Sequence, residues 1–443
     1  MALNAEVQWE CQSGGDDNNG GGFNADASGT DYSQQTSAQA TTTTATVVNS
    51  TTTIIDVDSG DYTCTDNDVG NIIQIYGGTA TAGFYEITAR SSQQWTLDRS
   101  VGTAGQTVVA KMGGCFATPG GMSYALNNGG VRGNRCWVKS ATYTITNATG
   151  GTAGGPFKNT SVDRFQIEGY ETTRGDRGTP PTLAAGSQTN VILWENTYFE
   201  GTYINLKADG QSQTGVNGFK TNYVATNCFH CQAVNCDAAT TNYGFSGVGR
   251  QTSCKAVDCG IGFQTGGQNC SIAVGCNKGF QPNADSTHNC LAYDCVIGID
   301  LFSLGARAVN CTVDNCTTGM KTSSNYQFIA NCIISNCTTA FDENTAANGE
   351  DLQRVALYNN TSDGDIPSVT LFDYYIITLT ADPYNDIAND DYRLNDTAGG
   401  GAECVVPLGA NGSNTTIGAL PQVTSGGAGG GLLRVNMNGN VFG

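Results

Sequence analysis

The sequence is poor in charged residues and in long apolar segments, and each shortage excludes a class of protein. Lys, Arg, Asp and Glu make up 13% of the 443 residues, about half of their share in an average soluble protein. No run of about 18 apolar residues occurs, so no membrane-spanning helix is predicted. The formal net charge is −19, which disfavours nucleic acid and anionic membrane surfaces as partners.

Helical periodicity is also scarce, because apolar residues at helical spacing continue nowhere for more than about two turns. Proline is rare, with 9 residues, whereas glycine is abundant, with 59. Thr and Asn are numerous as well. This composition is typical of many short strands joined by tight corners, so the sequence predicts an all-β protein.

The sequence begins without the basic and apolar stretches of a secretory signal. We therefore expect synthesis in a reducing cytoplasm, where cysteines remain thiols. The 18 cysteines need an explanation other than disulfides under that expectation.

Changes in composition divide the chain into four predicted segments. Residues 1–45 are rich in Gly and Thr and resemble an extended or docking arm. Strand-like segments separated by turn signals predict a small all-β module at 46–130. A solenoid is predicted at 131–398, and a C-terminal cap with a Gly-rich tail at 399–443, because an open solenoid end exposes unpaired backbone.

A repeat of about 20 residues dominates the centre of the chain. Each repeat contains two cysteines spaced by four or five residues, often preceded by Asn or Asp and followed by Gly-Phe or a similar pair. One coil per repeat with three short β-segments predicts a right-handed parallel β-helix. The predicted core ladder consists of Cys231, Cys236, Cys254, Cys259, Cys270, Cys276, Cys290, Cys295, Cys311, Cys316, Cys332 and Cys337.

Cysteine suits a narrow solenoid core because the thiol behaves as a small apolar group. Zinc ligation is the first alternative, but zinc sites favour Cys-x2-Cys spacing or histidine partners. Disulfides between coils are the second alternative, but they require Cβ atoms closer than the spacing of stacked strands. The Asn and Asp residues before the cysteines suit corner conformations, and stacked Asn side chains can bond from coil to coil.

Two segments resemble known β-helix proteins. The sequence from Asp68 to Arg99, followed by Gly102-Thr103-Ala104-Gly105, resembles a module at the front of bacteriophage β-helix virion proteins. Asp391-Tyr392-Arg393-Leu394-Asn395 resembles the closing segment of pectate-lyase-like β-helix proteins. The resemblance implies a right-handed parallel β-helix, but this scaffold carries lyases, hydrolases, tailspikes and structural parts alike.

Catalysis on a polysaccharide would require paired carboxylates, or a base with neutralising cations. The best candidates for catalysis are Asp163, Glu168, Glu171, Arg174, Asp176 and Arg177. The candidates for sugar stacking are Trp194, Tyr198 and Phe199, beside Glu195 and Glu200. The alternative interpretation of both groups is a solvated loop with ordinary outer-face residues.

The remaining reactive residues predict no further site. His230 and His288 lie beside predicted corners, and no catalytic triad can be inferred from their spacing. The glycine pairs lack the Lys-Ser/Thr sequence that binds phosphate. We expect neither a cofactor nor a metal.

Three functions are compatible with this sequence. The first is a virion structural protein, located in a tail, head fibre or capsid surface, with other virion proteins as partners. A homo-oligomer, with a trimer as one option, and a host-surface glycan ligand belong to this hypothesis. The second is a depolymerase acting through the Asp163–Arg177 region, which predicts glycan cleavage. The third is a bacterial surface adhesin or appendage subunit, which requires a secretion route.

Overall fold

The computed structural model describes residues 3, 6–48, 52–198, 200–221, 226–237, 242–247, 249–283, 285–343, 351–364, 376–406, 415–416, 418, 434–436 and 440–442. Two compact units contain them: Met1–Asp209 with Thr221–Thr226, and Gly210–Lys220 with Asn227–Gly443. Parallel strands in both units confirm the predicted right-handed parallel β-helix. The predicted domain boundaries at residues 45, 130 and 398 stay predictions.

The first unit contains a closed antiparallel barrel of six strands, which is the predicted small β-module. Its core includes Ile73, Trp95 and Val108, each at most 1% exposed. The barrel strands are Ala40–Val47, Ile54–Asp56, Ile72–Gly78, Gly83–Ser91, Gln94–Leu97 and Thr107–Met112. The short 3₁₀ helix Asp66–Asp68 lies between the second and third strands.

The β-helix begins before the barrel in the chain. Strand Gln8–Cys11 pairs in parallel with Arg135–Lys139, so the barrel is inserted between two strands of one sheet. The α-helix Pro119–Gly129 follows the barrel, and Thr118 caps its N-terminus by accepting a bond from the Gly121 N–H at 3.0 Å. The segment predicted as an arm thus supplies strands to both the β-helix and the barrel.

The remaining strands of the first unit build its early coils. Arg135–Lys139 pairs with Phe165–Tyr170, which pairs with Gly201–Ile204. Thr142–Thr144, Thr182–Ala184 and Lys207–Asp209 form a second parallel series. The other strands are Gly22–Phe23, Phe157–Asn159 and Ile192–Asn196.

Regular coils with three short strands each begin at Asn217 and make up most of the second unit. Row 1 contains Thr226–Phe229, Arg250–Thr252, Gly267–Asn269, Ser286–His288 and Arg307–Val309. Row 2 contains Gln232–Val234, Lys255–Val257, Ile272–Val274, Leu291–Tyr293, Thr312–Asp314 and Ile376–Thr378. Phe328–Ser335 and Asp351–Tyr358 continue both rows. Row 3 contains Asn217–Thr221, Tyr243–Ser246, Ile261–Gln264, Lys278–Gln281, Ile297–Leu301, Thr318–Thr322, Thr339–Glu343 and Ser362–Gly364.

Asn and Asp form many of the corners on either side of row 2, as the repeat predicts. Asn289 and Asn310 precede row 2 with φ of 53° and 52°, and Asp294 and Asn315 follow it with φ of 56° and 48°. These residues tolerate the left-handed conformation better than other non-glycine residues. The side chains also bond between coils, since Nδ2 of Asn310 donates to Oδ1 of Asn289 at 3.3 Å.

A stack of phenylalanine rings fills the core beneath row 3. Phe219, Phe245, Phe263 and Phe280 lie with successive ring centroids 4.8 to 4.9 Å apart. The rings are nearly parallel, at interplanar angles of 3° to 7°. The Gly-Phe pairs of the sequence therefore mark one inward position per coil. A Cβ atom at Gly244 or Gly262 would collide with a carbonyl oxygen of the next coil, so glycine is required there.

Residues 379–404 pack against the outer face of row 2. Leu379, Tyr384, Tyr392 and Leu394 form a buried cluster with row 2 residues that include Leu291. The local elements are Tyr384–Asp386, Ile387–Asn389, Asp391–Leu394 and Gly401–Cys404. Strand pairs Val405–Val406 with Thr415–Thr416, and Arg434–Asn436 with Asn440–Phe442, follow. Most of the predicted cap and tail lies outside the described residues.

Candidate functional site

Asp176, a candidate for catalysis, stabilises the loop that carries it by hydrogen bonds. Its carboxylate accepts backbone N–H bonds from Glu171, Thr172 and Thr173 at 2.7 to 2.8 Å, and from Gly178 at 3.2 Å. Slight burial raises the pKa of Asp176, but these N–H groups lower it much more, so the pKa lies well below its usual value. A carboxylate stabilised in this way is a poor proton donor.

The other carboxylates of the predicted cluster also have local partners. Glu168, 5% exposed, accepts from Nε of Arg177 at 3.2 Å and from Nε2 of Gln166 at 2.9 Å. Oε2 of Glu171 accepts the N–H of Thr179 at 3.0 Å. Each acid therefore stabilises the turn or strand that carries it.

Asp163 lies in a different neighbourhood from the loop at 171–178. Its Oδ1 accepts the backbone N–H of Glu200 at 3.1 Å, and its Oδ2 lies 3.9 Å from Nε of Arg132. The Glu200 side chain pairs with Arg164 at 2.7 Å. These bonds link a turn of one coil to the next coil.

Arg174, predicted as part of a surface cluster, lies instead in a buried polar network. Its Nε donates to Oε2 of Glu10 at 2.8 Å, and Nη1 donates to Gln8 at 3.1 Å and to Asp31 at 3.2 Å. Nη2 also donates to Oγ of Ser33 at 3.0 Å. Arg174 therefore joins the loop at 171–178 to residues 8–33.

Glu10 lies at the centre of this network and was not among the predicted site residues. It is 0% exposed, and its Oε1 accepts bonds from the hydroxyl of Tyr170 and from Nε2 of Gln12. Burial raises the pKa of Glu10, and the charge of Arg174 opposes that rise. The alternation of Val7, Gln8, Trp9 and Glu10 is a strand signal that could have placed Glu10 in a sheet.

The predicted aromatic group does not form a sugar-stacking surface in the described part of the chain. Trp194 is 0% exposed and packs against Phe157 with ring centroids 5.8 Å apart. Its Nε1 donates to the carbonyl of Lys207 at 3.1 Å, so Trp194 is a core residue and not a ligand platform. Tyr198 is half-buried, and Phe199 lies outside the described residues. Glu195 pairs with Lys158 at 3.0 Å.

The cysteines of the repeat point into two inward ladders, with one correction. All 18 cysteines are thiols in the structure. The register pairs Lys255 with Ile272, which places Ser271, and not Cys270, opposite Cys254. Cys270 occupies the corner with φ of 50° and is partly exposed, because the sequence Asn-Cys-Ser shifts the repeat by one residue. The first ladder is Cys231, Cys254, Ser271, Cys290, Cys311 and Cys332, and the second is Cys236, Cys259, Cys276, Cys295, Cys316 and Cys337.

The histidines lie at the edges of row 1. His230 occupies a corner with φ of 54°. His288 ends a row 1 strand, and burial and the charge of Arg307 lower its pKa.

Among the described residues, no group of three or more His, Cys, Asp or Glu side chains is arranged to hold a metal ion. No helix in that part of the chain is long and apolar enough to cross a membrane.

Comparisons with known proteins assign no family to this chain. No protein-family model matches the sequence. No curated protein matches it either. Among solved structures, the chain is similar to the crystal structure of the tailspike protein gp49 from Pseudomonas phage LKA1, at 10% sequence identity. The likeness covers 84% of this chain and 73% of that chain, with a TM-score of 0.20. At that identity and TM-score, the likeness assigns no function.

Proposed function

We propose that this chain is a structural component of a bacteriophage particle, in a tail, a head fibre or the capsid surface. The observation that carries the proposal is the antiparallel barrel of residues 40–112. It coincides with the segment from Asp68 to Arg99 whose sequence resembles the front module of phage β-helix virion proteins. A barrel inserted among the first strands of a β-helix suits a protein that attaches through one module and uses its solenoid surface for contacts.

The bonding of the predicted acidic cluster supports a non-enzymatic role. Asp176 and Glu171 accept backbone N–H groups, and Glu168 pairs with Arg177. These roles are structural, whereas glycoside hydrolysis requires two carboxylates that face one bond of the substrate. The depolymerase hypothesis remains the second candidate and predicts glycan cleavage that Glu168→Gln or Asp176→Asn abolishes.

The partners in this proposal are other virion proteins and further copies of this chain, with a trimer as one option. The location is the virion, after synthesis in the host cytoplasm. Thiols in the core, among them Cys290 and Cys311, both 0% exposed, suit folding in a reducing compartment.

Peptide mass spectrometry on density-banded phage particles from the source culture tests the proposal. We expect this chain to co-band with the particles at a fixed copy number relative to the major capsid protein. The copy number separates a tail tip from a capsid decoration. A chain found only in the soluble or cell-surface fraction would overturn the proposal and favour the depolymerase or adhesin hypothesis.

A further inference from the structure

The edge between row 3 and row 1 differs in loop length from the corners before row 2. The corners before row 2 keep a constant length of two residues, as at 270–271 and 289–290. The connections from row 3 to row 1 grow from two residues at 265–266 to five at 302–306 and 323–327. The connections from row 2 to row 3 have three residues from 258–260 onward, after one of eight residues at 235–242. In solenoids, insertions on one face of successive repeats often form the binding face.

Two adjacent loops on this edge expose large apolar side chains. Phe302 and Leu304 are each 59% exposed, and Tyr326 is 64% exposed. They are the three most exposed large hydrophobic side chains among the described residues. We call residues 302–306 and 323–327 the loop edge. Exposed apolar patches on a soluble protein often mark an interaction site, and these three side chains come from two loops that are hydrogen-bonded to each other.

The two loops are fixed to each other. The N–H of Gly305 donates to the carbonyl of Asn325 at 3.4 Å. Gln327 is 1% exposed, and its Nε2 donates to the carbonyls of Leu301 and Ser303 in the preceding coil. Because these bonds hold the backbone before any ligand arrives, the aromatic rings are displayed on a preorganised platform.

The chemistry of the loop edge is neutral and amphipathic. None of its ten residues is charged, in a chain whose net charge is −19. Exposed Asn325 and half-buried Ser303, Ser323 and Ser324 place amide and hydroxyl groups beside the rings. Neutral sugars present apolar C–H faces and many hydroxyl groups, so they match a surface of this kind.

Size argues against a stable protein interface at the loop edge. Three side chains at this exposure offer a few hundred Å², whereas a stable interface buries about 800 Å² on each partner. The geometry points to a binding site for an uncharged oligosaccharide, in which Phe302 and Tyr326 stack on sugar rings. This inference deepens the virion hypothesis, which includes a host-surface glycan ligand, by naming the site and the ligand class. The binding test below does not use particles, so its failure is distinguishable from failure of the proposed function.

A glycan array printed with neutral and acidic oligosaccharides tests the inference on the full chain. We expect binding to neutral glycans, with about a tenfold or greater loss in the double variant Phe302→Ser/Tyr326→Asn, since two stacking contacts are removed. Asn is used at position 326 because φ there is 57°, which Asn tolerates. The matched control is Tyr76→Ser/Tyr124→Ser, which removes two exposed tyrosines elsewhere and should leave binding unchanged.

Three outcomes would overturn the inference. Wild-type protein that binds no neutral glycan, or acidic glycans only, excludes the proposed ligand class. Equal loss in the loop-edge and control variants shows that the loop edge is not the site. Sedimentation of the wild type as an oligomer that the loop-edge variant converts to a monomer assigns the surface to self-association. Circular dichroism of each variant establishes that it is folded.

Discussion

Glu10 and Arg174 are 164 residues apart in the chain, and Nε of Arg174 donates to Oε2 of Glu10 at 2.8 Å. Both side chains are largely buried, with 0% of Glu10 and 13% of Arg174 exposed. The pair lies where strand Gln8–Cys11 meets the loop at 171–178. It joins a segment rich in glycine and polar residues to the first coils of the β-helix.

Removing Arg174 should therefore destabilise the first unit strongly. Arg174→Met leaves the carboxylate of Glu10 buried without its cation, which costs about 3 to 5 kcal/mol. Denaturant unfolding measures the loss, and the double variant Glu10→Gln/Arg174→Met should recover part of it. Arg164→Met is the control, because Arg164 and Glu200 form an exposed pair worth about 0 to 1 kcal/mol. Equal losses in the two single variants would contradict this role of Arg174.

Asp176 should stabilise the loop at 171–178 and should not act as a catalytic residue. Asp176→Asn removes a carboxylate that accepts four backbone N–H bonds, so the loop should open more often and trypsin should cleave faster after Arg177. Glu171→Gln, where the carboxylate accepts one such bond, should have a smaller effect. Cleavage rates followed by mass spectrometry at neutral pH measure both. An unchanged rate in Asp176→Asn would argue against a loop-holding role.

Asp314 should make stability depend on pH. It is 2% exposed, and burial raises its pKa above the ordinary 3.8, although bonds from Ser335, Asn336 and Tyr392 oppose the rise. The folded state binds the proton of the Asp314 carboxyl more tightly than the unfolded state does, so protonation of Asp314 stabilises the fold. This stabilisation is complete below pH 3.8 and is lost as the pH rises through the elevated pKa.

Thermal unfolding of Asp314→Asn across this pH range measures the effect. The unfolding midpoint of the variant relative to wild type should increase as the pH rises, since Asn carries no charge to bury. Asp285→Asn, at an exposed position, is the control for the substitution itself. A difference between Asp314→Asn and wild type that does not change with pH would refute the prediction.

Phe263 should be critical for the second unit, because its ring stacks between those of Phe245 and Phe280 at 4.8 and 4.9 Å. Phe263→Ala opens a cavity in the middle of the stack and should cost about 3 to 5 kcal/mol in unfolding free energy. Phe302→Ala, at a 59% exposed position, should change stability by less than about 0.5 kcal/mol. Chemical denaturation of both variants provides the comparison, and a small loss in Phe263→Ala would contradict the stack.

Cys270 should react before the other thiols of the repeat. It is partly exposed at its corner, whereas Cys254 and Cys290 are buried. Iodoacetamide labelling of the native protein, read by peptide mass spectrometry, should modify Cys270 first, at a rate reduced because burial raises its pKa. Labelling in urea should modify all 18 cysteines. If Cys290 is labelled before Cys270 in the native protein, the register of the first cysteine ladder is wrong.

The repeat made the central fold predictable, because its signals are local. Asn and Asp of the repeat correspond to left-handed corners, and the Gly-Phe pairs correspond to the ring stack. The prediction failed at Cys270, where one inserted residue moves a cysteine from the core to a corner. It also failed at Trp194, since a tryptophan in a polar sequence gives no sign of which face of the strand it occupies.

The sequence by itself determined the β-helix, its three-strand coils and the chemistry of its core. It determined them because a solenoid depends on contacts between equivalent residues one repeat apart. Only the tertiary structure decided that Gln8–Cys11 pairs with Arg135–Lys139 across the inserted barrel, and that Arg174 reaches Glu10. Likewise, only the structure brought the loops of Phe302 and Tyr326 together on one edge. These relationships join residues of unrelated local pattern, and the folded chain alone determines which of them become neighbours.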